Sequence, residues 1–386
     1  MRHAASTPLP GAPEPWAASQ MPAFRGKPPY LMSEMIAAEP ALAERLLHRL
    51  AADDAFEAVA AALRNAADGG RPILVTGCGT SEHAAMGVAA LLSEAMELPA
   101  GRTVTVVPPL EVLRHPPAEG VLIAASHEGN TFATNEAIRA ARAAGSTTAL
   151  ITVSNRSPGA GLAELVVQTD EQDQSWCHTI GYLAPLVVGV ALASRLRGEK
   201  PDAAAIRALL DVGEDARPMA DTAAALRGID RLLVAGGGVD HVTARELALK
   251  VAEGARLPTA AHELETIMHG HLAAADRWTG LVLVDTDDAA PAVVRERADR
   301  ALAAARALGM TAAGIFSEAR AHQVSDTDTP AGRIVVPHTG RVPGVAGSLL
   351  SSAVALQLLT ERLARARGVN PDTLGREDPA QAAAHG

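Results

Sequence analysis

The sequence predicts an α/β chain made of two tandem, doubly wound parallel-sheet domains. Three observations carry that prediction. At 386 residues the chain has room for two domains of ordinary size. Apolar runs of strand length alternate with Ala-rich helical stretches, the pattern of a parallel sheet covered on both faces. The order of these segments recurs at an offset of about 160 residues.

Taken in order, residues 1–29 begin MRHAASTPLPGAPEPW, proline-rich and without an apolar signal core, and are expected to form a disordered arm. Tyr30 to Asn65 has helical periodicity through Met32, Met35, Ile36, Leu42, Leu46, Leu47 and Leu50, expected to pack as an arm across the sheets or a partner subunit. The run Ile73 to Thr76, ending in Gly77-Cys78-Gly79, parallels Leu232 to Ala235, ending in Gly236-Gly237-Gly238. Val121 to Ala125 parallels Leu281 to Asp285. Helices follow at Asn135 to Ala144 and Ala292 to Leu308, closed by Gly145 and Gly309 as C-cap glycines. Next come Thr148 to Val153 with Thr311 to Phe316, then Leu165 to Thr169 with Ile334 to Val336, and a long helix in each half. Thr179 to Ser194 is apolar but carries Pro185 and falls short of the ~18–20 residues of a membrane span, so it reads as a buried helix. The seam lies at Arg197 to Asp202, giving domains at 30–198 and 199–369 and a tail at 370–386.

Composition excludes several functions. The formal charge of −10 leaves no basic surplus for nucleic acid, and 4 Phe, 3 Trp and 2 Tyr leave few rings for base or sugar stacking. Any bound anion must therefore be held locally. Two cysteines, Cys78 and Cys177, are too few for a disulfide framework or a four-thiolate zinc site, which fits a reducing cytoplasm.

In open α/β sheets ligands bind beyond the carboxyl ends of the strands. Two loops there stand out. Gly77-Cys78-Gly79-Thr80-Ser81 and Ser126-His127-Glu128-Gly129-Asn130-Thr131 each combine glycine with hydroxyls at a helix start. Two readings fit each loop: a tight turn with an N-cap, or an anion site of hydroxyls and backbone N–H groups. A dinucleotide fingerprint breaks at Glu82, where its third glycine belongs, and His241 occupies the corresponding place in the second half. The second half has Thr286-Asp287-Asp288-Ala289-Ala290-Pro291 in place of the hydroxyl-rich loop, so one anion site per chain is expected. Glu246, Lys250 and Glu253 share one helical face, which serves either as a solvated ion-pair face or as chemistry. His269 follows in Met268-His269-Gly270-His271; His262-Glu263 lacks a zincin partner, so no metal is expected.

Cys78 to Ser81, the Ser-x-x-Gly-x-Thr loop at Ser126 to Thr131, Glu-x3-Lys-x2-Glu at Glu246 to Glu253 and His269, in this order and spacing, resemble the double sugar isomerase (SIS) domain family. The resemblance is to the isomerase half of glutamine:fructose-6-phosphate amidotransferases and runs from about Tyr30 to Asp372. It implies flavodoxin-like SIS domains in a homodimer, and an aldose–ketose isomerase or deaminating isomerase of a sugar phosphate or amino sugar phosphate, with no cofactor. Gly79, Thr80, Ser81, Ser126, His127, Glu128, Gly129, Thr131 and Thr179 would hold the substrate. Glu253 would be the base, Lys250 and Glu246 would orient it, and His269 would assist ring opening in the neighbouring subunit. The departures also have consequences. Residue 2 is Arg where a glutaminase has its cysteine, which implies that glutamine is not the nitrogen donor. His127 and Glu128 replace a glutamine and a serine of the phosphate loop, Ile180 stands where a lysine is frequent, and the tail offers Arg376 in place of a lysine. A carboxylate ~4 Å from a phosphate charge costs about 4 kcal/mol per charge pair at an effective dielectric near 20, so Glu128 must turn away, pair with a cation such as protonated His127, or report a different ligand. An unphosphorylated or unusual anionic sugar and a non-catalytic sugar-phosphate sensor are the alternative functions.

Overall fold

The computed structural model describes residues 25–96, 98–99, 101–211, 216–342 and 344–384. The arm expected at 1–29 thus lies outside the described residues as far as residue 24. The chain forms two compact units, one of Ala38–Gln174 and Ile180–Arg207, the other of Ala23–Ala37, Ser175–Thr179 and Ala208–Gly386.

In the first unit the order is α1 (Leu31–Leu50, shared at its start with the second unit), α2 (Asp54–Asp68), β1 (Ile73–Thr76), α3 (Thr80–Met96), β2 (Thr105–Val106), α4 (Pro109–Arg114), β3 (Val121–Ala125), α5 (Phe132–Ala143), β4 (Thr147–Thr152), β5 (Leu165–Gln168), α6 (Ile180–Leu196) and α7 (Ala203–Leu210). The strands form one parallel sheet in the order β2-β1-β3-β4-β5. Central β3 is buried along its whole length, as a strand covered on both faces must be. The arm is two helices: Asp53 ends the first by capping the second, its carboxylate accepting from Phe56 N at 3.0 Å. Helix α6 is apolar on every side and buried from Ile180 to Ser194. At Gly189 a side chain would press on Leu91 and Val88 of α3, so the glycine sets how closely these helices pack.

The second unit continues with α8 (Arg217–Leu226), β6 (Arg231–Gly236), α9 (Asp240–Ala255), β7 (Thr259–Glu263), α10 (Leu264–Met268), β8 (Thr279–Asp285), α11 (Ala292–Ala307), β9 (Thr311–Phe316), α12 (Glu318–Ala321), β10 (Arg333–Val335), α13 (Gly344–Ala366) and α14 (Pro379–Ala384). Its parallel sheet runs β7-β6-β8-β9-β10, the order of the first sheet strand for strand. Among the described residues α13 alone is long and apolar enough to cross a membrane, and 83% of its apolar window is buried inside the protein. Two of the four edge strands, β2 and β7, escape the sequence reading, while β5 and β10 fall where it expects them. β2 is two residues long, and β7 (TAAHE) has no apolar run; pairing with β1 and β6 makes them strands. The division between the units falls at 207/208, inside α7, beyond the Pro/Asp stretch expected as the seam.

Candidate functional site

In the first unit the two expected loops emerge from the carboxyl ends of neighbouring parallel strands, β1 and β3. The first turns directly into α3, where Thr80 is nearly buried and Ser81 half-buried. The second is stitched into the sheet. Ser126 N donates to Ile151 O, Val153 N and the Thr152 hydroxyl donate to His127 O, and Gly129 N returns to Ser126 O. Gly129 has φ of 64°, and a side chain there would collide with the Ser157 hydroxyl. Gly129 O accepts from Gly159 N at 2.8 Å and from Asn135 Nδ2 at 3.3 Å, so the loop is held from both sides. Ser126 Oγ lies 3.5 Å from Thr131 Oγ1, which brings the two hydroxyls onto one side of the loop at the start of α5. Thr131 is exposed and Glu128 half-buried.

The reading of His127 needs correction. Its ring is buried, and its Nε2 accepts from Asp173 N at 3.0 Å. Burial lowers its pKa to about 4, so at neutral pH it is uncharged and supplies no cation for Glu128. Its side chain braces the loop from beneath. Asp173, which sequence reasoning passed over, completes that brace by accepting from Gly181 N at 2.7 Å at the start of α6. No capping pattern in the sequence marked it, because Asp173 lies seven residues before α6 and reaches the helix start only through the fold.

In the second unit Glu246, Lys250 and Glu253 do share one face of α9, and that face is not solvated. Glu246 and Lys250 are fully buried, while the Glu253 side chain keeps 26% of its surface exposed. Lys250 Nζ lies 2.5 Å from Glu253 Oε2 and 3.8 Å from Glu246 Oε1. Burial alone would lower the Lys250 pKa; the negative charges of Glu253 and Glu246 and the neighbouring Cys177 reverse that and hold the ammonium charged. The result is an ion triad with one outlet, the Glu253 carboxylate. The segment Ser175–Thr179 belongs to this unit, with Cys177 Sγ 3.8 Å from Lys250 O and buried beside Gly254, where a thiol is a packing group. Thr179 is buried too, its carbonyl accepting from Gln357 Nε2 of α13 at 3.3 Å.

His269 stands apart from this triad. Its side chain is 72% exposed and its Nε2 pairs with Glu265 at 3.0 Å, one turn back along α10. Arg376 stacks over the Trp176 ring at 4.1 Å, which fixes the tail by a cation–π contact. Among the described residues no group of three or more His, Cys, Asp or Glu is placed to hold a metal ion.

Residues 70–195 match the SIS domain family. Comparison of the sequence with curated proteins gave no match. In fold the chain is similar to the C-terminal domain of a glucosamine-fructose-6-phosphate aminotransferase from Francisella tularensis, with a TM-score of 0.72, 17% identity and coverage of 90% of this chain and 99% of that one. It is likewise similar to a tagatose-6-phosphate ketose/aldose isomerase from Escherichia coli (TM-score 0.72, 17% identity, 92% and 98% covered). A glucosamine-6-phosphate deaminase from Thermotoga maritima aligns at a TM-score of 0.64 with 18% identity over 89% and 97%. The expected fold, two tandem α/β domains each with a parallel sheet, is the observed one.

Proposed function

We propose that the chain is an aldose–ketose isomerase, or a deaminating isomerase, of a sugar phosphate or amino sugar phosphate, independent of glutamine. The observation that carries this reading is the single outlet of the α9 triad. Proton transfer next to a carbonyl needs a carboxylate that is fixed, ionised and accessible, and Glu253 is held by a buried ammonium while staying partly exposed. In this reading Glu253 removes the proton from the carbon beside the open-chain carbonyl while the carbonyl oxygen takes up a proton. The resulting enediol or enolamine then receives the proton from Glu253 on the former carbonyl carbon as the adjacent hydroxyl or amino group gives up its own, which balances the proton taken by the oxygen and leaves the new carbonyl, or an imine that water hydrolyses to carbonyl and ammonia. Lys250 keeps the carboxylate in place and Glu246 keeps Lys250 in place. Ser126, Thr131, Thr80 and Ser81, with the backbone of Gly79 and Gly129, are the proposed anion-binding groups of the first unit. The exposure of His269 suits the homodimer expected from the resemblance, in which a second copy of the chain would receive it. The cytoplasm is the proposed location.

Glu128, half-buried in the same loop, favours a second reading, in which the sugar is unphosphorylated or carries its anion elsewhere, because a carboxylate there repels a phosphate charge and the neighbouring His127 is neutral. One experiment addresses both. Ketose and aldose 6-phosphates and their unphosphorylated counterparts are incubated in deuterated water, with and without ammonia, and exchange at C1 or C2 is followed by proton NMR. Exchange confined to phosphorylated sugars is expected. Glu253→Gln should lower the exchange rate by roughly 100-fold to 10,000-fold while leaving binding intact. Binding without exchange for every sugar would replace the isomerase with a sensor, and unchanged turnover in the variant would remove Glu253 as the base.

A further inference from the structure

The two units can be compared loop by loop. Ser81 N donates to Cys78 O at 3.1 Å, and Asp240 N donates to Gly237 O at 3.0 Å. Gly79 and Gly238 have φ of 58° and 56°. A side chain at Gly77 would meet Ser81 O at 2.4 Å, and one at Gly236 would meet Asp240 O at 2.5 Å. Asp240 is therefore the counterpart of Ser81. By the pairing of β1 with β3 and of β6 with β8, Thr286 and Asp287 are the counterparts of His127 and Glu128, the two residues that follow Ser126 in the loop of the first unit.

In the second unit this pair of loops is closed on itself. The buried Asp240 carboxylate accepts from Thr286 N at 2.8 Å, from the Thr286 hydroxyl at 2.5 Å and from Asp287 N at 3.2 Å. Two backbone N–H groups and a hydroxyl converging on one anion are the donors expected of a phosphate cradle. We infer that Asp240 is an internal stand-in for phosphate, filling in the second unit the place over the loop that the first unit, with Ser81 in the position of Asp240, keeps open beside Ser126 and Thr131. The inference rests on the proposed anion site of the first unit. A cavity of about 310 Å³ adjoins the closed loop, bordered by Thr286, Ser317, Thr339, Ser348 and Ser351, so a ligand displacing the carboxylate has space. Asp287 and Asp288 also border it. Their carboxylates are engaged by Ala289 N and by the Ser317 hydroxyl, and their charge makes any external anion bind weakly there.

The test is the number of inorganic phosphate ions bound per chain, measured by equilibrium dialysis and by phosphate-dependent thermal melting. Wild type should bind one. Asp240→Ser, which installs the residue of the first unit, should bind two, the second at least tenfold more weakly, and adding Ser126→Ala and Thr131→Val should remove only the tighter one. A single site in Asp240→Ser, or two in wild type, overturns the inference and leaves the first-unit reading in place. No site in wild type but one in Asp240→Ser has the opposite meaning: the stand-in holds and the phosphate loop of the first unit does not. If Asp240→Ser is unfolded in chloride buffer, phosphate should restore its fold, with a larger rise in melting temperature than it gives Asp240→Asn. Equal shifts in the two variants overturn the inference.

Discussion

His127 and Asp240 are two buried groups at equivalent ends of the two sheets, and their titrations act in opposite directions. The pKa of His127 falls from 6.5 to about 4 on burial, so the folded state takes up its proton less readily than the unfolded chain. Its contribution vanishes above pH 6.5, and stability is lost as the pH falls from 6.5 towards 4. By linkage the loss between pH 7 and pH 5 is about 2 kcal/mol. Burial raises the pKa of Asp240 to about 7, with its three hydrogen bonds offsetting part of the shift, so stability declines as the pH rises from 3.8 towards 7. Urea unfolding at pH 5 and pH 7 should show that His127→Gln loses the acid-side destabilisation, and Asp240→Asn the alkaline-side one. Curves parallel to wild type in both variants would contradict these assignments.

At the level of elements, helix α9 places a lysine between two carboxylates with no solvent on one of them. Removing the cation takes the ion-pair partner Lys250 from the buried Glu246 carboxylate. Lys250→Met is expected to lose about 3–5 kcal/mol of stability, more than an exposed pair would cost, and to lose proton exchange with it. A change under about 1 kcal/mol by urea titration would mean that Glu246 is already neutralised by another group. The spacing of the triad was legible because a helix of 3.6 residues per turn fixes which residues share a face. Its burial was not, since charged residues at i, i+4 and i+7 read equally well as a solvated face. The same limit explains β7 and β2. A central strand is buried on both faces and shows as an apolar run, as β3 and β8 do, whereas the edge strands β2 and β7 have no such run and are defined by their partners. His127 was misread for a related reason: a polar residue in a loop of hydroxyls looks like a ligand group until its acceptor nitrogen is found beneath the loop.

At the level of the whole molecule, the second unit takes in pieces from early in the chain. Asp372 accepts from Leu31 N at 2.8 Å and from Met32 N at 2.9 Å, capping the start of α1, and its carbonyl accepts from Trp176 N. Asp372→Ala leaves those helix N–H groups without their buried acceptor and is expected to cost about 1–3 kcal/mol. Hydrogen exchange should localise the loss to residues 30–33 and 175–177. Faster exchange confined to the C-terminal tail would show that the cap is dispensable.

The chain passes between units at 37/38, 174/175, 179/180 and 207/208. Although the two sheets repeat one another, the two copies are not separate beads that a recombination event or an engineer can exchange with one cut. A transplant of residues 208–386 carries Asp372 but leaves behind the start of α1 that it caps, together with the segment Ser175–Thr179 that lies beside Lys250. An exchange of the second unit has to carry residues 25–37 and 175–179 with it.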